Sequence, residues 1–589
     1  MNKQISALFD TAFSAPGGIK KLREMILTLA MQGKLVPQDP SDPPASELLK
    51  EIEAKKKRLV KEGKIKSAKP LPDIKPEEMP YKLPEGWVWA RLDDLVSKIG
   101  SGSTPRGGKS SYIDNGIPFL RSQNIWNDDI KLEDVAFISQ NTHKKMSATE
   151  VFPNDILLNI TGASLGRCAL VPENWHTANV SQHVTIIRCI NKEQNRFIHS
   201  LLLSPYCQRL IWSRQVGMAR EGLSKKVLES FEIPIPPFSE QHRIVAKIDQ
   251  LMARCDELEK LRAEREQMRL AIHTSAIRQL LAVPAEKQND QSTEKQDSNT
   301  RSGLPAGQAA QFIARHFGEL YTVKENVAEL RKAILQLAVM GKLVPQDPND
   351  PPACELLKEI KAEKKRLVKE GKIKSEKPLP EIKLEEVTYK IPESWKWARL
   401  EQLTQIITKG SSPNWQGVQY VNEGEGILFI TSENVGNYNL ILEKKKYVES
   451  KFNEIEPRSI LVKQDILMNI VGASIGRTAI FDLDIVANIN QAVTIIRLIN
   501  IANHKYFLNF FNSPICISYM NDKQVDNARP NLSMGNIALF KIPLPPLPEQ
   551  HRIVTKIDEL MSLCDVLEQQ IDAATTKQTE LLDAMMAQF

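Results

Sequence analysis

The sequence predicts an α+β protein with an internal repeat: two mixed α/β globular domains separated by long helices that form an antiparallel coiled coil, the halves related by a pseudo-twofold axis. Three observations carry this expectation. GKLVPQDP occupies residues 33–40 and returns at 341–348. PEGWVWARL (84–92) is answered by PESWKWARL (392–400), DILLNITGASLGR (155–167) by DILMNIVGASIGR (465–477), and EQHRIVAKIDQLMARCD (240–256) by EQHRIVTKIDELMSLCD (549–565). The offsets of 308, 310 and 309 residues drift so little over the 589-residue chain that two copies of one unit follow, with a period far too long for a solenoid. Second, short β-rich runs such as HVTIIRCI and AVTIIRLI alternate with Gly, Asn, Ser and Pro turns from Trp87 to Pro237 and from Trp395 to Pro546. Third, Ile244, Ile248, Leu251, Cys255 and Leu258 step by heptad spacing, as do Ile553, Ile557, Leu560, Cys564, Leu567 and Ile571, with Ala574, Leu581 and Met585 in the same frame.

Each half has the same order of elements. An apolar-periodic segment (Leu22, Met25, Ile26, Leu29; Leu330, Ala333, Ile334, Leu337) reads as a helix ended near Gly33 and Gly341. A Lys-rich helix follows, with nine basic residues against four acids in 47–70 and nine against five in 355–378; it suits either a solvated face or a phosphate-facing or partner-facing role. The prolines of KPLPDIKPEEMPYKLPEG and KPLPEIKLEEVTYKIPES make an extended connection. The globular domain then ends at a proline stop, IPIPPFSEQ or IPLPPLPEQ, before the heptad helix. The expected boundaries are an N-terminal helical region 1–80, a globular domain 81–238, a central helix 239–283, a polar linker 284–307, a second helical region 308–388, a second globular domain 389–547 and a C-terminal helix 548–589. Two heptad helices in one chain pair most simply with each other, and a pseudo-twofold axis makes that pair antiparallel.

The repeat fails between Ser97 and Glu150 on one side and Thr404 and Ile460 on the other. A kept scaffold with a varied surface suits a protein that grips two related but different targets. Net charge is +6, from 78 basic and 72 acidic residues, compatible with nucleic acid. Seven cysteines without a CxxC point to reduced thiols rather than a disulfide framework or zinc site. The N-terminus lacks the pattern of a secretory signal and no apolar run reaches the ~18 residues of a membrane helix, so a soluble cytoplasmic protein is expected.

Catalytic motifs fail on inspection. GGKS at 107–110 lacks the glycine a phosphate-binding loop needs five positions earlier, where Ser103 stands. DPPA at 42–45 and 350–353 lacks the aromatic of the amino-methyltransferase signature, and no glycine-rich turn supplies a cofactor site. Asp42 with Asp73 and Lys75, or Asp350 with Glu381 and Lys383, lies in proline-broken connections that give a nuclease metal no rigid platform. His242 and His551 begin helices without a neighbouring nucleophile and fit packing or capping.

Two divergent domains, two proline-stopped heptad helices, the strings NITGASLGR and NIVGASIGR, and PIPPFSEQHRIVAKID with PLPPLPEQHRIVTKID together resemble the specificity subunit of type I restriction-modification enzymes, over nearly the whole chain. The long N-terminal region with GKLVPQDP resembles most the EcoA-type (IB) subclass. The resemblance implies two target-recognition domains that each read half of a split, asymmetric DNA site. It also implies helices that space them and dock two methyltransferase subunits, and restriction subunits in the full complex. It implies no catalysis and no cofactor in this chain; S-adenosylmethionine, ATP and Mg belong on partner subunits, and the setting is a bacterial cytoplasm. An autonomous nuclease or methyltransferase, and a purely structural coiled-coil scaffold, are the competing readings.

Within the first reader the candidate DNA contacts are Ser103, Thr104, Arg106 and Lys109 of the loop SGSTPRGGKSSY, then Arg121, Gln123 and Asn124. Arg can read guanine and Gln or Asn adenine by paired hydrogen bonds, whereas Ser and Thr usually hold phosphate. The second reader offers Lys409, Ser411, Ser412 and Asn414 of KGSSPNWQG, and Glu433 and Asn434 of ITSENV. The later loops GMAREGLSKK and NARPNLSMG add Arg220, Ser224 and Lys225, and Arg529, Asn531 and Ser533.

Overall fold

A computed structural model describes residues 13–66, 71–107, 111–127, 129–215, 222–281, 306–375, 379–387, 389–523 and 530–587. The chain is α+β and divides into two compact units, Met1–Arg265 with Ala574–Phe589, and Glu266–Ala573. Both boundaries fall inside the long helices Phe238–Leu281 and Leu547–Met586. No described helix is long and apolar enough to cross a membrane.

In the first unit a four-stranded sheet runs in the order Val96–Ser101, Val184–Cys189, Ile156–Asn159, Cys168–Leu170. Its middle strands, ILLN and VTIIRC, are apolar on both faces because both faces are covered. Ile156, Leu158, Ile187 and Cys189 point into a core shared with helices, while Leu157, Val184 and Ile186 point into a second core against strands. That is the period of two expected of a strand, read out as two different cores. Across the second core lies a five-stranded sheet, Tyr112–Ile113, Ala136–Ile138, Ile117–Leu120, Ala178–Val180, Glu150–Val151, with one parallel pairing between the third and fourth. A two-stranded ladder, Val88–Arg91 with Glu232–Ile235, ties the beginning of the domain to its end.

The second unit repeats this arrangement. Thr404–Lys409, Val493–Leu498, Asp465–Asn469 and Thr478–Phe481 form the four-stranded sheet, with Ile466, Met468, Ile496 and Leu498 on the helical side and Leu467, Val493 and Ile495 on the other. Its outer sheet has four strands, with no partner corresponding to Glu150–Val151 among the described residues. The segments whose sequences diverge are thus carried on nearly the same strands. A buried Asp braces each central sheet: Asp155 takes two hydrogen bonds from Arg188 (2.7 and 2.6 Å), and Asp465 two from Arg497 (2.7 and 2.7 Å).

The strings repeated most closely meet in space. Helix Gly18–Met31 ends at Gly33, whose φ of 68° only glycine adopts cheaply and where a Cβ would lie 2.4 Å from Pro84. Five residues on, Gln38 donates to Glu240 Oε1 (3.1 Å), while the Trp87 indole N–H donates to Glu240 Oε2 (3.0 Å). Arg243, one turn along, pairs with Asp42 at 2.6 Å. The second unit uses Gln346 (2.6 Å), Trp395 (2.9 Å) and Glu549, with Arg552 on Asp350 at 2.6 Å. Burial pushes the Glu240 and Glu549 carboxyls above the usual carboxylate value, opposed by these donors.

The heptad stripe differs from expectation. The other long helix was its expected partner, yet in each unit the first half of the stripe belongs to the unit's own core. Ile244, Ile248 and Cys255 lie with Ile19 and Ile26, and Arg23 reaches across to Asp256 and Glu259 at 2.6 and 2.8 Å. In the second unit Ile553, Ile557 and Cys564 lie with Ile334, and Arg331 pairs with Asp565. An apolar stripe specifies that some surface covers it, not which one, and the amphipathic N-terminal helix of each unit competes for it. Leu258, 47% exposed, and Ala574, also exposed, stand in the heptad frame but are not covered. At the far end Leu582 and Met585, rather than Leu581, are buried, against Phe13 and Met25. The polar linker falls largely on residues 282–305, outside the described residues, and its last two positions, Ala306 and Gly307, already begin helix Ala306–Arg315.

Replacing Glu549 by Ala strands the indole N–H of Trp395 without its acceptor in a buried site, so the chain should lose about 1–3 kcal/mol. A lowered urea midpoint, with Arg552→Ala at the half-exposed end of the same cluster costing less, is the expected result; an unchanged midpoint for Glu549→Ala would show that the cluster is not structural.

Candidate nucleic-acid interface

The divergent loops of each unit rise from one end of its sheets on feet that are the same in both copies. In the first unit the Gly102 N–H donates to Val184 O (3.0 Å), Ser181 N–H to Leu120 O (2.9 Å), Ile160 N–H to His183 O (3.0 Å) and Leu223 N–H to Ile160 O (2.9 Å). The Asn159 side-chain amide donates to Ser122 O (2.8 Å). These bonds gather the loops 102–106, 121–127, 160–167, 181–183 and 222–224. In the second unit the same five bonds run from Gly410 to Val493 (3.4 Å), Asn490 to Ile430 (3.0 Å), Ile470 to Ala492 (3.0 Å), Leu532 to Ile470 (2.9 Å) and the Asn469 amide to Ser432 (2.9 Å). Gly102 and Gly410 are required by close approach: a Cβ would sit 1.9 Å from the Val180 and Ile489 carbonyl oxygens, respectively.

On these feet several expected residues present exposed side chains: Ser103, Thr104, Arg106, Gln123, Ser224 and Lys225 in the first unit, and Lys409, Asn414, Glu433, Asn531 and Ser533 in the second. Ser411 and Ser412 are half-buried, and Ser411 Oγ accepts from Gln416 (3.0 Å). Lys225 pairs with Glu229 at 3.3 Å and Glu433 with Lys446 at 3.1 Å, exposed pairs that hold little energy and release readily to a ligand. Lys109, Arg220 and Arg529 lie outside the described residues.

Three expected base readers have structural work instead. Asn124 is buried; its Oδ1 accepts from the Arg121 N–H (3.0 Å) and its Nδ2 donates to Lys131 O (2.9 Å). Asn434, also buried, accepts from the Thr431 N–H (2.9 Å) and donates to Ile441 and Lys444 carbonyls (both 3.0 Å). A buried amide with both ends engaged inside its own loop presents no accessible edge to adenine. Arg121 is half-buried and donates through Nη2 to Asp134 O (2.8 Å), holding its loop in shape. Ser224 and Ser533 cap short helices by accepting from Val227 and Asn536 N–H (3.3 and 3.1 Å), which leaves their hydroxyl protons free for a phosphate oxygen.

The geometry adds residues that pattern reading passed over. Arg167 lies over the Trp126 ring at 4.0 Å with Lys131 at 4.2 Å, a stacked cation pair beside Gln123. Its counterpart Arg477 is exposed, with no ion pair among the described residues. Both close the repeated GAS-x-GR strings, so their signal was visible as an arginine kept in both copies. Trp415, 76% exposed at the tip of the loop after Ser412, offers a flat apolar face. Loops with unpaired cations, hydroxyls and amides, without a cluster of metal-ligating groups among the described residues, are suited to phosphates and base edges.

The different roles of buried and exposed amides can be separated. Asn434→Ala should cost about 1–3 kcal/mol in denaturant unfolding, since the Ile441 and Lys444 carbonyls lose their donor, while the DNA sequence recognised stays the same. Arg477→Ala should leave stability unchanged and weaken duplex binding in a titration; weakened binding by Asn434→Ala at unchanged stability would reverse the assignment.

A family model for the type I restriction modification DNA specificity domain matches residues 84–266 and 392–576, once in each repeat. The chain is 33% identical to the type I restriction enzyme EcoAI specificity subunit of Escherichia coli, over 96% of this chain and 93% of that one. It is 33% identical to the EcoEI specificity subunit of the same organism over equal shares of the two chains. The crystal structure of the HsdS subunit from Thermoanaerobacter tengcongensis aligns with a TM-score of 0.40 at 18% identity, covering 87% of this chain and 98% of that one. On the family match in both repeats and the near full-length identity, the chain belongs to the specificity subunits of type I restriction-modification enzymes, their DNA-recognition rather than their catalytic component.

Proposed function

We propose that each unit reads one half of a bipartite, asymmetric duplex site, and that the long helices pair antiparallel to set the distance between the readers. The observation that carries this reading is the set of five equivalent hydrogen bonds under loops of different sequence: one scaffold presents two different surfaces. In the first unit Ser103, Thr104, Arg106, Lys109, Arg167, Arg220, Ser224 and Lys225 position phosphates, with Gln123 at base edges. In the second, Lys409, Ser411, Ser412, Arg529, Asn531, Ser533 and Arg477 position the backbone, with Asn414 and Glu433 at base edges; Glu suits the cytosine amino group. The pseudo-twofold arrangement offers equivalent docking faces to two methyltransferase subunits, which bring restriction subunits with them. S-adenosylmethionine, ATP and Mg are bound by those partners, and the complex works in the bacterial cytoplasm.

Exchanging residues 84–238 for the same domain of a relative should change one half of the sequence methylated by the assembled complex, mapped across the host DNA, and leave the other half as it was. The purified chain alone should transfer no methyl group. Methylation by the isolated chain, or a change in both halves, would overturn the reading. The spacing is tested separately: one heptad added to both long helices lengthens each by about 10 Å, or roughly three base pairs, so the unread gap should grow, whereas trimming residues within 284–305 should leave it unchanged.

A further inference from the structure

The two Lys-rich helices have no part in the reading above, and their charges are arranged differently. Helix Ala353–Lys369 buries Ala353, Leu356, Ile360 and Leu367, and Lys364 fastens it by donating to the Glu401 carbonyl. Lys358, Lys361, Lys365 and Lys369 are exposed and follow at intervals of three and four residues, so they form one ridge. Glu355, Glu359 and Glu363 run along a separate ridge, where Arg366 pairs with Glu363 and Glu370 at 2.6 Å each. None of the four lysines forms an ion pair among the described residues. In helix Ala45–Lys61 of the first unit the segregation is lost. Glu53 stands where Lys361 does and pairs with Lys57 at 2.6 Å, and Lys55 stands where Glu363 does.

The ridge borders a cleft of about 690 Å³ lined by Lys361, Lys364, Lys365, Lys369 and Lys374 over Trp397. Lys374 and Ser375 also line an adjoining cleft of about 820 Å³ whose other wall includes Thr404, Arg458, Met534 and Gly535. Met534 follows the candidate contact Ser533, whereas Thr404 stands at the opposite end of its strand from Lys409. The basic groove therefore reaches the second unit's candidate interface at the Ser533 loop. Lysine is depleted where proteins meet proteins and is a principal sequence-independent ligand of the phosphate backbone. A ridge of four unpaired lysines, advancing ~4.5–6 Å per step along the helix, matches a polyanion.

We propose that the lysine ridge of Ala353–Lys369 holds the sugar-phosphate backbone of duplex DNA just outside the half-site read by the second unit, and that the first unit's helix does so weakly or not at all. This rests on the reading that the second unit binds duplex DNA. It makes the footprint asymmetric: one half-site carries a phosphate-held flank and the other does not. The ridge adds affinity and salt dependence but no sequence preference.

The test uses the full chain assembled with its methyltransferase partner and duplexes carrying the methylated sequence mapped from the host. One duplex has about 15 flanking base pairs beyond the second unit's half-site and the other ends flush with it. With about 0.9 counterion released per phosphate contact, Lys361→Gln/Lys365→Gln/Lys369→Gln should lower the slope of log affinity against log salt by about 2–3 on the long duplex. On the flush duplex the triple variant should match wild type, and the methylated sequence should not change. In the first unit, Lys50→Gln/Lys57→Gln/Lys61→Gln, at the counterparts of Lys358, Lys365 and Lys369, should move the slope by less than about 1. A wild-type slope for the first variant on the long duplex overturns the proposal, and so does loss of the methyltransferase partner in its place, which would mark the ridge as a protein-docking face. Absence of sequence preference in the wild-type complex would instead remove the functional reading beneath it.

Discussion

A buried carboxylate is costly unless its oxygens are hydrogen-bonded, and Glu240 and Glu549 use theirs to join strings far apart in sequence. One oxygen takes the glutamine of GKLVPQDP, the other the tryptophan that opens the globular domain, and the glutamate itself stands on the first turn of the long helix. The N-terminal arm, the reader and the helix are thereby fixed to one another at a point shielded from water. The next turn adds the Arg243–Asp42 and Arg552–Asp350 pairs, which are partly exposed and contribute less. If this junction were loose, the loops could keep their shape and still lose their direction relative to the helix, which is what a fixed spacing requires.

The second constraint is the central sheet buried on both faces. Because alternate residues of Ile156–Asn159 and Val184–Cys189 face different cores, a substitution on one face need not disturb the other. The helical core holds the junction together with the Ile160 and Leu223 feet, while the opposite core holds the feet at Leu120 and Val184. Asn159 and Asn469 stand at the end of this sheet and reach the next loop through a single amide, which ties loop position to sheet position while leaving loop sequence open.

Much of this was legible in the sequence because repetition within one chain supplies its own comparison. The helices beginning at Gly18 and Ala45, the proline stops and the two-sided apolar strands follow from periodicity, and the junction glutamates lie in strings whose repetition marked them. The partner of the first half of the heptad stripe was not legible, since Ile244 and Ile553 ask only for an apolar surface and the nearer helix supplies it. Nor was the division between readers and braces. Asn124 and Asn434 look like base readers by residue type, and only their burial and satisfied hydrogen bonds show that they hold the loops. Arg167 and Arg477 were passed over because they close strings taken as scaffold, although on the proposed reading a phosphate ligand need not differ between readers.

That last point separates two kinds of contact within the surface. On the proposed reading, groups that meet the backbone can be shared by both units, and Arg167 with Arg477 and Ser224 with Ser533 do recur without change. On the same reading, groups that meet base edges must differ if the half-sites differ, and Gln123 and Glu433 do differ at one position of the same turn. A specificity protein built by duplication is then free to alter its target by changing a few exposed side chains per unit. The binding energy held in phosphate contacts and the stability held in the junction and feet stay untouched. The charge exchange between Glu53 and Lys361 extends the same logic to affinity: a helix kept for its fold in both units can be recharged in one of them, because its outer face carries no part of the core.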